Sequence, residues 1–126
     1  MEGAGRVNLD SSGLGSFDVT WASRAEDPNG RTSPEELIAA AHSACFNMAL
    51  SNALAKAGNA PEALDTIANV TFQPGEGITG IHLTVRGKVP GLSAEQFADA
   101  AEDAKANCPV SKALGGTKID LDATLV

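Results

Sequence analysis

The chain has 126 residues, with 16 acidic against 9 basic side chains and a formal net charge of −7 at pH 7. That length suits one domain with its own core, expected to span residues 1–126. The acidic balance argues against nucleic acid or an anionic membrane face as partner, because nothing offsets phosphate repulsion.

Residues 4–9 and 16–22 read as a β-hairpin, since Phe17, Val19 and Trp21 alternate with Asp18 and Thr20, and the stretch Asp10 to Gly13 supplies turn residues. The polar stretch Arg24 to Thr32, with Asp27-Pro28-Asn29-Gly30 inside it, reads as a loop. A helix then opens with Ser33 at the N-cap, Pro34 at the first helical position and Glu36 placed for a capping box. It runs to about Ala57 and stops at Gly58. From Leu37 to Leu54 it is apolar on most sides, and such a helix belongs at the centre of a structure.

Strands follow at 66–72 and 78–89, the second with Ile81, Leu83, Val85 and Val89 on one face and His82, Thr84, Arg86 and Lys88 on the other. Ser93 and Gln96 predict a second capping box, opening a helix that ends near Ala106. Beyond Cys108-Pro109 a turn or short helical piece precedes a last strand at 117–125. The order β-β-α-β-β-α-β predicts an α+β domain with an antiparallel sheet of about five strands on a long central helix. One sheet face cannot cover a helix that is apolar all round. An obligate homodimer, with a second copy covering the remainder, is therefore expected.

No apolar run exceeds about six residues, against the ~20 of a membrane span, and no signal-peptide pattern opens the chain. Cytoplasm is the expected location, without membrane association. The two cysteines, Cys45 and Cys108, fit a reducing compartment better than a disulfide scaffold. Three readings of them are open: buried hydrophobes, metal ligands or a redox pair. Cys45 lies mid-helix, where burial is common, whereas Cys108 stands at a helix exit, where a thiol is more often reachable. His42, Cys45, His82 and Cys108 could form a Cys2His2 zinc site. Only one pair is close in sequence, and His82 belongs to the wet face of its strand, so no metal is expected.

Glu36 is claimed by the cap, but Glu35 is free to hold Arg24 of the preceding loop. A fixed arginine beside a cysteine raises its thiolate fraction. Glu35 and Cys45 are separated by about 15 Å of helix rise. Either Arg24 spans most of that gap, or a second subunit brings the charged group alongside, which puts an active site at the interface. Phe46, Met48, Leu37 and Ile38 are candidate walls for an apolar substrate, with ordinary core packing as their alternative.

The run from Thr32 through Pro34-Glu35-Glu36-Leu37-Ile38 and Ala41-His42 to Phe46, with Cys108-Pro109-Val110-Ser111 further on, resembles the OsmC/Ohr family of thiol peroxidases, on its OsmC branch. The resemblance extends from about Gly3 to the C-terminus. It implies an intertwined homodimer whose sheets wrap two central helices, with two active sites at the subunit boundary. It also implies that Cys45 attacks an organic hydroperoxide to give a sulfenic acid, that Cys108 resolves it as a disulfide, and that a dithiol such as dihydrolipoamide restores both thiols. No metal, flavin or other cofactor is implied. Glu35 matches the family glutamate and Arg24 the OsmC-branch loop arginine, with Arg6 and Arg31 as alternatives. Against the family pattern, the sequence starts where an additional N-terminal strand of a dozen or so residues would be expected to end, and Ala25 stands where an aromatic residue often follows the arginine. A non-enzymatic binding dimer with the same fold is the competing reading.

Overall fold

The computed structural model describes residues 2–126. Two strands, β1 (Ala4–Asn8) and β2 (Ser16–Thr20), pair antiparallel as the hairpin predicted for this segment. The second strand stops at Thr20, short of the expected residue 22. Thr20 caps a short helix α1 (Trp21–Ala25), with a reciprocal capping box between Thr20 and Ser23. Arg24 thus sits on a helix, not in the loop expected there. The Ser23 hydroxyl also bonds the Thr32 carbonyl at 2.9 Å, drawing the start of the next helix toward α1.

That helix, α2 (Pro34–Lys56), begins as predicted, with the Ser33 hydroxyl accepting from the Glu36 N–H at 3.1 Å. The Glu36 carboxylate does not complete the box. It accepts instead from the Thr32 hydroxyl at 2.6 Å. At the other end Gly58, with φ +88°, carries a Schellman stop: its N–H bonds Ala55 O, and the Asn59 N–H bonds Leu54 O. Glu35, His42, Phe46, Leu50 and Leu54 form the row of α2 that is buried in this chain.

Strands β3 (Ala63–Gln73) and β4 (Gly77–Lys88) pair antiparallel. Leu64, Ala68 and Val70 face inward on β3, and Ile81, Leu83 and Val85 on β4. Gly87 is required by close approach: a Cβ there would lie 2.4 Å from the Phe97 ring of α3 (Ala94–Asn107). The Ser93–Gln96 box that opens α3 is formed in both directions. After α3 the chain forms α4 (Pro109–Ala113) and returns as β5 (Ile119–Leu125), which pairs parallel to β4. The purely antiparallel sheet is therefore corrected to a mixed one, because a strand reached through two helices comes back alongside β4 in the same direction.

The five strands also divide into two sheets, β1-β2 and β3-β4-β5. The hairpin β1-β2 is largely exposed, and a bridge between Val19 and Thr32 joins it to the segment leading into α2. By length and mean hydropathy α2 overlaps the range of a membrane span, which the short apolar runs did not suggest. Its row of large side chains packs into the core with β3, β4 and α3, as in a core helix. The opposite side is uncovered in one chain, with Met48 74 % exposed.

Candidate functional site

Two constellations form along α2, and they lie apart. At its middle, Cys45 meets Cys108, which precedes α4. Their thiols are close enough to share a hydrogen bond and to feel each other's charge. Both are free, Cys45 half-buried and Cys108 fully buried. This reverses the expectation that Cys108 would be the reachable one. Pro109 occupies the first position of α4 and turns the chain back, so that Cys108 points inward against α2.

The two thiols are shifted in opposite directions. Burial pushes the Cys108 thiol up, but the N–H groups of Ser111 and Val110, the Cys45 thiol and the Ser111 hydroxyl surround its sulfur and hold it below the ordinary thiol value. Cys45 is pushed up, first by burial and then by its neighbour Cys108, against a smaller lowering from the Val110 N–H. Beside them His42 is wholly buried, its Nε2 2.7 Å from Ser111 Oγ. Burial lowers its pKa, so the imidazole is neutral at pH 7.

At the N-terminal end of α2, Arg24 Nη2 and Nε reach Glu35 Oε1 at 2.8 and 2.9 Å. The guanidinium also lies 4.1 Å from the Phe72 ring centre and 5.6 Å from that of Trp21, and these two rings meet edge to face. Arg24 is thus held on three sides at the mouth of a cleft of about 440 Å³, lined also by Ala39 and Val70. The alternatives take no part: Arg6 pairs with exposed Asp18, and Arg31 contacts the Asn29 carbonyl. Of the two ways of joining Arg24 to Cys45, the reach along one chain is excluded, because Arg24 is tied to Glu35 at the far end of the helix.

The predicted wall residues scatter. Phe46 is buried in the core and unavailable to a substrate, a correction that follows from its place in the inward row of α2. Ile38 packs against the same core and Leu37 is half-buried. Met48 borders an open groove of about 600 Å³ with Asn47, Ser51 and Leu64. The four zinc candidates do not gather among the described residues: His42 lies beside Ser111 in the core, and His82 bonds Asp122 at 2.9 Å on the outer sheet face. Trp21, Phe72 and Ser111 were not singled out from the sequence. Ser111 lay inside the cysteine motif, and the Thr20-x-x-Ser23 cap was the signal that would have placed Trp21 and Arg24 on a helix.

A long helix carrying one thiol, packed on a mixed sheet and met by a second thiol from a helix junction, defines an α+β dithiol protein. The particular family is plain from comparison. Residues 27–122 match the OsmC-like protein family, and the chain belongs to it. It is 43 % identical over 126 aligned positions to Peroxiredoxin OsmC of Escherichia coli (strain K12), covering 98 % of this chain and 87 % of that protein. Organic hydroperoxide resistance protein OhrA of Bacillus subtilis (strain 168) is 34 % identical over 104 positions, 81 % of this chain and 71 % of the relative. An organic hydroperoxide resistance protein from Elizabethkingia anophelis superposes with a TM-score of 0.67 at 26 % identity, covering 99 % of this chain and 94 % of the other.

Proposed function

We propose that the chain is a thiol peroxidase that reduces organic hydroperoxides to alcohols, acting as a homodimer. The observation that carries this reading is the contact between Cys45 and Cys108, two thiols from distant parts of the chain, in a family whose relatives are named for peroxiredoxin activity and hydroperoxide resistance. In the proposed cycle the Cys45 thiolate attacks one peroxide oxygen. An S–O bond forms, the O–O bond breaks, and the alkoxide leaves with a proton as the alcohol. Cys108 then displaces the sulfenic oxygen as water, giving a Cys45–Cys108 disulfide. An external dithiol, of the dihydrolipoyl kind, exchanges with that disulfide and restores both thiols. A reducing compartment such as the cytoplasm suits a cycle that must return to free thiols.

The raised pKa of Cys45 in one chain is the reason to assign Arg24 to the neighbouring subunit's site. A guanidinium fixed by Glu35, arriving across the interface, would lower that pKa and hold the leaving oxygen. The uncovered side of α2 and the exposed β1-β2 hairpin support a second copy there. Met48, with Leu37 and Ile38, would then form the apolar wall for the organic part of the substrate. The same raised pKa favours the competing reading, a binding dimer without useful turnover.

One experiment separates them. Intact-mass analysis after one equivalent of cumene hydroperoxide should show the loss of two hydrogens, mapped to a Cys45–Cys108 link. Cys45→Ser should abolish peroxide consumption, and Cys108→Ser should stop after a single turnover at the sulfenic acid. Unaltered thiol content after hydroperoxide would favour the binding dimer.

A further inference from the structure

His42 is 0 % exposed, yet among the described residues its Nδ1 has no hydrogen-bond partner, while its Nε2 contacts Ser111 Oγ. A buried polar ring kept with one nitrogen unpaired is costlier than a leucine in the same space. Its position on α2, one turn before Cys45, faces it to α4, where Ser111 is itself buried and its hydroxyl lies beside the Cys108 sulfur. Three groups therefore adjoin in turn: imidazole, hydroxyl and thiol.

Proton placement along that line has one consistent solution. The ring is neutral and carries one N–H. If the proton sat on Nδ1, a donor would be buried without an acceptor, which is rarer in proteins than an unsatisfied acceptor. With the proton on Nε2, His42 donates to Ser111 Oγ. The single hydroxyl hydrogen of Ser111 is then free to point at Cys108 rather than back at the ring.

We propose that His42 and Ser111 are positioning residues for the resolving step, a relay in which His42 fixes the Ser111 hydroxyl as a donor to Cys108 and so makes Cys108 the attacking thiolate. This rests on the peroxidase cycle above and deepens its second half. In that step Cys108 attacks the Cys45 sulfur; the S–S bond forms, the S–O bond breaks, and the departing hydroxide combines with the proton that Cys108 released, as one water. Both oxidising equivalents come from the hydroperoxide.

The test separates the two half-reactions. Rapid-quench mass spectrometry after one equivalent of cumene hydroperoxide reads sulfenic acid formation at Cys45 and its conversion to the disulfide. Ser111→Ala should slow the conversion at least about tenfold, as expected for a lost hydrogen bond to a charged sulfur, and leave the first step within about twofold. His42→Leu should behave likewise, while His42→Gln, whose amide supplies a donor near the place of Nε2, should recover most of the rate. Should His42→Leu fail to fold, Ser111→Ala, which removes one oxygen, carries the test alone. An unaltered conversion rate, or equal slowing of both steps, overturns the relay. If the unmodified chain forms no sulfenic acid, the peroxidase reading fails separately. The relay is then read from the ultraviolet thiolate band of Cys108 in Cys45→Ser at fixed pH: a smaller band on adding Ser111→Ala supports it, and an unchanged band overturns it.

Discussion

The middle of α2 and its N-terminal end differ in what one chain can complete. At the middle, Cys45, Cys108, Ser111 and His42 come together from two elements far apart in sequence, and every partner belongs to the same molecule. At the end, Arg24 and Glu35 form a tight ion pair clamped by Trp21 and Phe72, and among the described residues neither cysteine lines the cleft there. About 15 Å of helix separates the two. In the proposed cycle the dithiol and the cation would each be half of a peroxide-reducing site. A two-fold axis beside α2 is the simplest operation that would join one half to the other.

The strongest way to break that comparison is to remove the cation. Arg24→Ala is expected to lower peroxide turnover on the order of a hundredfold, the scale of one lost transition-state donor, while leaving the Cys45–Cys108 disulfide able to form under a strong oxidant. Mixing Arg24→Ala chains with Cys45→Ser chains then sharpens it. Random dimers sharing sites across the interface should recover up to roughly a quarter of normal activity, since half would be mixed and one of their two sites complete. No recovery would place both halves in one subunit.

Next in size is the interface itself. Met48→Lys puts a charge on the uncovered side of α2, and sedimentation should show a shift from dimer to monomer with the fold retained by circular dichroism. A smaller effect falls within the core. Gly87→Ala drives a methyl into the Phe97 ring and should cost about 1–3 kcal/mol in denaturant unfolding.

The smallest concerns pH. Burial lowers the His42 pKa from its ordinary 6.5, so the unfolded chain binds this proton more readily than the folded one. Its contribution to stability is present above about pH 6.5 and is lost as pH falls through the folded value. Unfolding free energies of the unmodified chain and His42→Gln should therefore converge or cross between pH 7 and pH 5. A constant difference across that range would show that His42 does not titrate on unfolding.

Much of the local structure was legible in residue order. The caps at Ser33 and Ser93, the stop at Gly58 and the alternation of β4 each depend on a few neighbouring residues, and each stands as read. The misreadings share a cause. Trp21 continued the alternation of β2, but the cap formed by Thr20 and Ser23 ended the strand. Glu36 had two acceptable partners, and Thr32, brought close through Ser23, took it. Phe46 was equally good as a pocket wall or as core, and only the direction of the α2 row against β3 and β4 decided for core.

Composition, capping and periodicity by themselves determined an α+β chain with a long small-residue helix, and the paired cysteine motifs determined its family, because these signals are carried by residues a few positions apart. Tertiary structure alone decided that β5 runs parallel to β4, that Cys108 is the buried thiol of the pair, and that Arg24 is held by Glu35 at the far end of α2 from Cys45 of its own chain. Those outcomes depend on burial and on charges brought together from distant segments, and neither quantity exists until the chain has folded.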